Sequence, residues 1–309
     1  MKCISICVPC YNEEASIELM YNAICEQMHQ LKEYDYEIVF ADNRSTDQSE
    51  IILRHLAEID KKHVKVILNN HNWGPKRSGL NMLYRTSGDA VIIIPCDFQE
   101  PPEMIPDLIK EWEKGHLVVR GQKVQSRENG LMYAVRSVYY SLFEKLSDYK
   151  QYKHVTGFGI TDKSVIDNLR KYKDNNRGLQ AFICAMGYDI HTIPYTQEKR
   201  KSGKSSYNLV KYIDLAVNNI LQSSTKILKG ILTFGVFCLA ITFIGFIVSL
   251  VVWLITKTIN VFIVLLLFLF FVLFSIIMCT IGILGQYIQI LIQKVSNEPT
   301  VIEREIINF

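Results

Sequence analysis

The stretch Cys3–Asp47, CISICVPCYNEEASIELMYNAICEQMHQLKEYDYEIVFADNRSTD, decides the fold. Its first apolar run, Cys3 to Val8, is short and ends in a polar loop, as a buried strand does. Ile17, Met20, Ile24, Met28 and Leu31 then repeat every three to four residues, the period of a helix with one apolar face. A second run, Glu37 to Ala41, ends in another polar loop. Working outward, Val64 to Leu68, Ala90 to Ile94 and Leu117 to Arg120 also read as strands. Ile51, Ile52, His55, Leu56 and Ile59 suggest another helical stripe, with His55 as a packing residue. Strand and helix alternate, which predicts a parallel sheet covered by helices on both faces, with a ligand at the carboxyl ends of the strands.

The chain has 309 residues, 49% apolar and 21% charged, enough for a packed core and too apolar for disorder. Its 34 basic and 31 acidic residues give a net charge of +3, too small to suggest a nucleic-acid partner. The charge is unevenly placed. Lys199, Arg200, Lys201, Lys204, Lys211, Lys226 and Lys229 face Asp214 alone, whereas from Gly230 to Gln293 the only charged side chain is Lys257.

Ile231 to Thr256 and Val261 to about Gln286 are each long enough to cross a hydrocarbon core of ~20 helical residues. The link Lys257 to Asn260 is short enough to make them a hairpin. Lys226 and Lys229 before it and Lys294 after it place both termini in the cytoplasm by the positive-inside rule. The expected organisation is a head over residues 1–205, an amphipathic interfacial region over 206–229, two transmembrane helices over 230–293 and a cytoplasmic tail over 294–309. The eight cysteines show no disulfide framework, and Met1 to Pro9 is too short for a signal peptide. Cys7 and Cys10 form a CxxC with no second pair, and buried strand thiols account for them better than zinc.

The loops after the strands carry the polar chemistry: Pro9-Cys10-Tyr11-Asn12-Glu13-Glu14, then Asp42 to Asp47, then Pro95 to Glu103. Each could be a capped turn, but three converging on one sheet edge make a site. No GxGxxG follows the first strand, which argues against a dinucleotide fold. Gly203-Lys204-Ser205 mimics the end of a phosphate-binding loop, yet the first glycine of that motif would fall at Glu198.

VPCYNEE (Val8–Glu14), DNRSTD (Asp42–Asp47), NWGPKRSGLNMLYRTSGD (Asn72–Asp89) and CDFQEPPE (Cys96–Glu103) resemble family 2 glycosyltransferases, in the branch acting on polyprenyl phosphates. The resemblance extends through GFGITDKSVID (Gly157–Asp167), KRKSGKSSYN (Lys199–Asn208) and NEPTVIERE (Asn297–Glu305). It implies an α/β fold, a Rossmann-like GT-A head for nucleotide-diphosphate sugars, carrying the C-terminal two-helix transmembrane hairpin. It also implies roles. Asp42 would bind the nucleobase, with Pro9, Tyr11 and Glu13 around the nucleoside. Asp97 would hold Mg2+ or Mn2+ against the pyrophosphate, Lys76 and Arg77 would meet donor phosphate, and Lys199, Arg200, Lys201 and Lys204 would meet the lipid phosphate.

Two positions depart from the family pattern. Pro95-Cys96-Asp97 stands where Asp-x-Asp is usual. Thr156-Gly157-Phe158-Gly159 stands where relatives carry Gly-Asp-Phe-Arg, so the carboxylate taken as base is missing, leaving Asp162 and Glu100 as substitutes. A lipid phosphate needs no base, because its second ionisation near pH ~6 makes it a dianion already. The expectation is an inverting transferase moving a sugar from a nucleotide-diphosphate sugar, a UDP-sugar first, to polyprenyl (undecaprenyl) phosphate at the cytoplasmic face of the cell membrane. Its rivals are a transferase extending a lipid-linked saccharide and an inactive nucleotide-sugar-binding membrane protein. Assembly stays open, a homo-oligomer included.

Overall fold

A computed structural model describes residues 1–125, 145–147, 152, 155–172, 178–197, 226–257, 259–295 and 301–309. The chain divides into two compact units: residues 1–140, 149–208 and 297–309, and residues 141–148 with 209–296.

The first unit is built on β1 (Lys2–Cys10), α1 (Ile17–Gln30), β2 (Tyr34–Asp42), α2 (Ser49–Ile59), β3 (Val64–Asn69), α3 (Gly74–Tyr84), β4 (Ala90–Ile93), α4 (Ile105–Glu113) and β5 (Val118–Gln125). All five strands read from the sequence are present, β1 running two residues further to Cys10. Four elements not foreseen follow: β6 (Val155–Asp162), α5 (Lys163–Tyr172), α6 (Leu179–Ala185) and β7 (His191–Thr196). The strands form one sheet in the order β7-β5-β6-β4-β1-β2-β3-β8, where β8 is Glu303–Ile307 near the C-terminus. β1 to β4 are parallel, and β6 runs antiparallel between β4 and β5.

Strand alternation sends side chains to two cores. Val8, Ile38 and Phe40 pack with Ile17, Met20, Leu53, Ile109 and Trp112 of α1, α2 and α4. Cys7, Val39, Ala41 and Ile67 pack with Leu80, Leu83, Val165, Leu169 and Phe182 of α3, α5 and α6. Three residues apart on one strand, Cys7 and Cys10 face opposite cores, so the CxxC cannot ligate one ion. The phase of α2 differs from the expected stripe. Leu53, Leu56 and Ala57 are buried, whereas Ile51 and Ile59 are exposed and His55 faces solvent, because 51, 55 and 59 share the opposite side of the helix.

The second unit contains α7 (Lys226–Thr256) and α8 (Ile259–Val295), linked through Lys257 at φ 52°. Among the described residues alone, no helix is long and apolar enough to cross a membrane. Both helices still expose large apolar side chains, including Phe234, Phe243, Phe268 and Phe270.

Candidate active site

The carboxyl ends of β1, β2, β3 and β4 open into loops that hydrogen bonds stitch together. Asn43 N–H donates to Cys10 O at 3.0 Å, and Asn12 N–H to Ser45 Oγ at 2.9 Å. Thr46 N–H donates to Asn12 Oδ1 at 2.8 Å, Gln48 N–H to Glu14 Oε2 at 2.9 Å and Glu13 N–H to Ser49 Oγ at 2.9 Å. The first two loops therefore form one body.

The third loop is tied on by Asn43, whose Nδ2 donates to Asn72 Oδ1 at 2.8 Å while its Oδ1 accepts from Trp73 N–H at 3.1 Å and Asn69 Nδ2 at 3.2 Å. Asn43 and Asn69 are buried and were not singled out from the sequence, although Asn43 stands inside the DNRSTD run. Asn12, Arg44 and Phe98, one in each of three loops, hold left-handed φ of 56°, 65° and 58°. Such conformations cost free energy in non-glycine residues and persist where the surroundings impose them.

Asp42 is 1% exposed and accepts Ser45 N–H at 3.1 Å. Burial raises its pKa, outweighing the hydrogen bonds of Ser45 that act the other way. Tyr11 is exposed, Pro9 and Glu13 partly so. Lys76 and Arg77 lie in the first turn of α3, where Arg77 reaches over the Trp73 ring at 5.9 Å. Lys76 reaches the surface, and the burial of its charged end lowers its pKa. Asp97 follows β4, is 6% exposed and accepts Gln99 N–H at 3.1 Å.

Glu100 is equally buried and accepts the Tyr195 hydroxyl proton at 3.1 Å. Burial first, then Glu100, raises the Tyr195 pKa, and Asp97 is close enough to add to it. Tyr195, at the carboxyl end of β7, thus joins the site although no sequence signal marked it. Phe158 packs edge-on against its ring at 5.9 Å.

Asp162 is not part of this site. β6 runs antiparallel to β4 and pairs Asp162 with Ala90, placing it at the amino edge, roughly 10 Å of strand from the carboxyl end of β4 that leads to Asp97. There it accepts Trp112 Nε1–H at 2.8 Å and caps α5 through Ser164 N–H at 2.9 Å. Burial pushes its pKa up, but bonds from Ser164 and Trp112 outweigh this and leave it lowered. The beginning of β6 does lie at the carboxyl edge, since Gly159 pairs with Ile93. A Cβ on Gly159 would come 2.1 Å from Val119 O, and its φ is 143°, so the backbone contact with β5 excludes any larger side chain. Lys199, Arg200, Lys201 and Lys204 lie outside the described residues.

Residues 5–171, more than half of the chain, match the model of Glycosyl transferase family 2. The chain belongs to that family. It is similar to bactoprenol glucosyl transferase of Shigella phage SfX, 31% identical over 242 residues covering 78% of this chain and 79% of that one. It is also similar to the uncharacterized glycosyltransferase YkcC of Bacillus subtilis (strain 168), 30% identical over 226 residues covering 73% and 69%. Among solved structures it is similar to glucosyl-3-phosphoglycerate synthase from Mycobacterium tuberculosis in complex with Mn2+, UDP and phosphoglyceric acid, at 20% identity and a TM-score of 0.44, covering 71% and 76%. The protein is a family 2 glycosyltransferase with an α/β, GT-A-like head and a mixed sheet. The site loops of this glycosyltransferase, Tyr11 to Glu103, fall inside the matched residues; Tyr195 falls beyond them.

Proposed function

We propose that the enzyme transfers a sugar from a UDP-sugar to polyprenyl phosphate, with inversion, at the cytoplasmic face of a membrane. The lipid-phosphate oxygen bonds to the anomeric carbon as the bond from that carbon to the donor's β-phosphate oxygen breaks, and the nucleoside diphosphate leaves with the electron pair.

The observation carrying this reading is the carboxyl-edge start of β6. Gly157 stands where a general base is expected, and Gly159 cannot be replaced without displacing β5. A dianionic acceptor needs no base there. The relatives named bactoprenol glucosyl transferase support the same acceptor. Glu100, buried beside Tyr195, favours the second reading, extension of a lipid-linked saccharide, because it puts a carboxylate at the edge where a hydroxyl acceptor would need a base.

A divalent cation would offset the charge developing on the departing diphosphate. Mg2+ is commonly held by one or two carboxylates plus substrate phosphates, so Asp97, with Glu100 nearby, fits that need despite Pro95. Asp42, held by Ser45, shapes the nucleoside loop, and its contact to the base, with Pro9, Tyr11 and Glu13 around it, rests on the family resemblance. Lys76 and Arg77 are assigned to the donor phosphate, and Lys199, Arg200, Lys201 and Lys204 to the lipid headgroup, on the family resemblance.

Membrane insertion of residues 230–293 is supported by α7 and α8, whose uncharged sequence runs from Gly230 to Thr256 and from Ile259 to Gln293, and by their exposed phenylalanines. β8, after the two helices, pairs with β3, before them, which calls for an even number of crossings. A cysteine introduced at Lys257, between the two helices, should be reached by impermeant reagents from outside only. The acceptor is tested by offering the purified protein undecaprenyl phosphate and a panel of nucleotide sugars. Turnover on a lipid-linked saccharide at an equal rate would favour the second reading.

A further inference from the structure

Away from the carboxyl edge, three metal-ligating side chains meet at the opposite end of the sheet. Glu111 lies near the end of α4, His116 in the turn leading to β5, and His191 opens β7. β5 and β7 run parallel with Val119 paired to His191, so their starts are neighbours. The rings of His116 and His191 stack 4.1 Å apart with planes 11° from parallel. Both Nε2 atoms approach one oxygen, Glu111 Oε2, at 3.8 Å from His116 and 3.4 Å from His191. Lys114 Nζ occupies the other oxygen, Oε1, at 2.6 Å, leaving Oε2 turned toward the imidazoles.

We propose that Glu111, His116 and His191 form a binding site for a divalent cation of the zinc class, separate from the catalytic edge. The three ligand atoms lie within 4.8 Å of one another. Two imidazole nitrogens and a carboxylate oxygen, with water in a fourth position, are a zinc donor set. Mg2+ and Ca2+ prefer all-oxygen sites and would be poor competitors. Zinc bonds of ~2.0 to 2.2 Å put tetrahedral donors about 3.3 Å apart, so the present spacing needs to close by ~1.5 Å at most. The imidazoles are 42% and 39% exposed, free enough to turn that far and open enough to admit the ion. A bound cation would tie the end of α4 and the turn before β5 to the start of β7. Among the described residues β7 is the outermost strand on its side of the sheet, and its other end carries Tyr195 to the candidate active site.

The full-length protein, stripped with a chelator, would be titrated calorimetrically with Zn2+ in excess Mg2+. The expected result is one Zn2+ bound per chain, unchanged in Asp97→Asn, weakened by an order of magnitude or more in His116→Gln and in His191→Gln, and lost in the double variant. The head's unfolding temperature should rise with Zn2+ in the unsubstituted protein and not in the double variant. Should a histidine variant fail to fold, Co2+ added to the unsubstituted chain decides the matter by its visible bands, which are intense for a four-coordinate site. Unchanged Zn2+ binding in the double variant, no binding by the parent, or a Co2+ spectrum no stronger than that of the hydrated ion would overturn the proposal.

Discussion

The two ends of the sheet carry carboxylates of opposite character. At the amino edge Asp162 caps a helix and accepts an indole proton, and nearby Glu37 accepts from Ser5 Oγ at 2.5 Å, Lys65 Nζ at 2.6 Å and Ser87 N–H at 2.7 Å. Burial raises Glu37, but these bonds outweigh it and hold its pKa below the ordinary range. At the carboxyl edge the buried Asp42 is raised instead, because burial outweighs the bonds from Ser45 and Arg44 of its own loop. The amino edge uses charge to hold the fold; the carboxyl edge keeps charge at a cost to stability, where a ligand can complete it.

The strongest challenge to that contrast exchanges the roles of two aspartates. Asp97→Asn should lower kcat by roughly a hundredfold or more while leaving the unfolding temperature nearly unchanged, if Asp97 acts on the diphosphate. Asp162→Ala should leave kcat intact and destabilise the head by about 1–2 kcal/mol, through the lost cap and the unpartnered Trp112. A kcat loss in Asp162→Ala without unfolding would break the comparison.

Why Asp162 misled is instructive. A strand's direction cannot be read from its own residues, and β6 follows β5 after a segment with no clear pattern, so its antiparallel course was not legible. The loops after β1, β2 and β4 were legible, because each parallel strand must end at the same edge and their polar residues follow the apolar runs directly. Tyr195 and Asn43 escaped because their roles arise from contacts across 95 and 29 residues, with Glu100 and Asn72 respectively. β8 was invisible for a similar reason: Glu303–Ile307 is short and becomes a strand only by pairing with β3.

Glu37 sharpens the amino-edge half of the contrast. Its folded pKa is lowered, so its stabilisation is full above the unfolded value of 4.5 and is lost as pH falls through the folded one. Glu37→Gln should cost about 2–3 kcal/mol at pH 7, since it leaves the Lys65 ammonium poorly paired. The difference from the parent should shrink below pH ~4.5. A gap independent of pH would mean that shape rather than charge is at work.

Asp42 should behave the other way. Its raised pKa means that the folded head keeps a proton which the unfolded chain has already released, so its contribution to stability falls as pH rises from the unfolded value of 3.8 through the folded one. Asp42→Asn keeps an oxygen for Ser45 N–H and removes the buried charge. The expected outcome is a head more stable by about 1 kcal/mol at neutral pH, with weaker donor binding. Loss of stability at neutral pH would show that the charge itself braces the loop.

The smallest effects belong to the lateral margin, where β8 attaches. Glu303 has a side chain 14% exposed and meets Asn81 of α3 through Nδ2 at 2.7 Å and Arg85, which caps that helix, through Nε at 3.0 Å and Nη2 at 2.6 Å. Glu305 is 44% exposed and pairs with Arg54 of α2. A half-buried carboxylate with three donors loses more on neutralisation than an exposed one, because the donors left behind are less able to turn to water. Glu303→Gln should therefore lower the unfolding temperature of the head measurably and persistently in high salt. Glu305→Gln should change it little in dilute buffer and not at all in ~1 M salt, where screening acts within ~3 Å. Since α3 also carries Lys76 and Arg77, Glu303→Gln should in addition raise the donor KM slightly; an equal response from the two variants would mean that the margin is held by β8 backbone pairing alone.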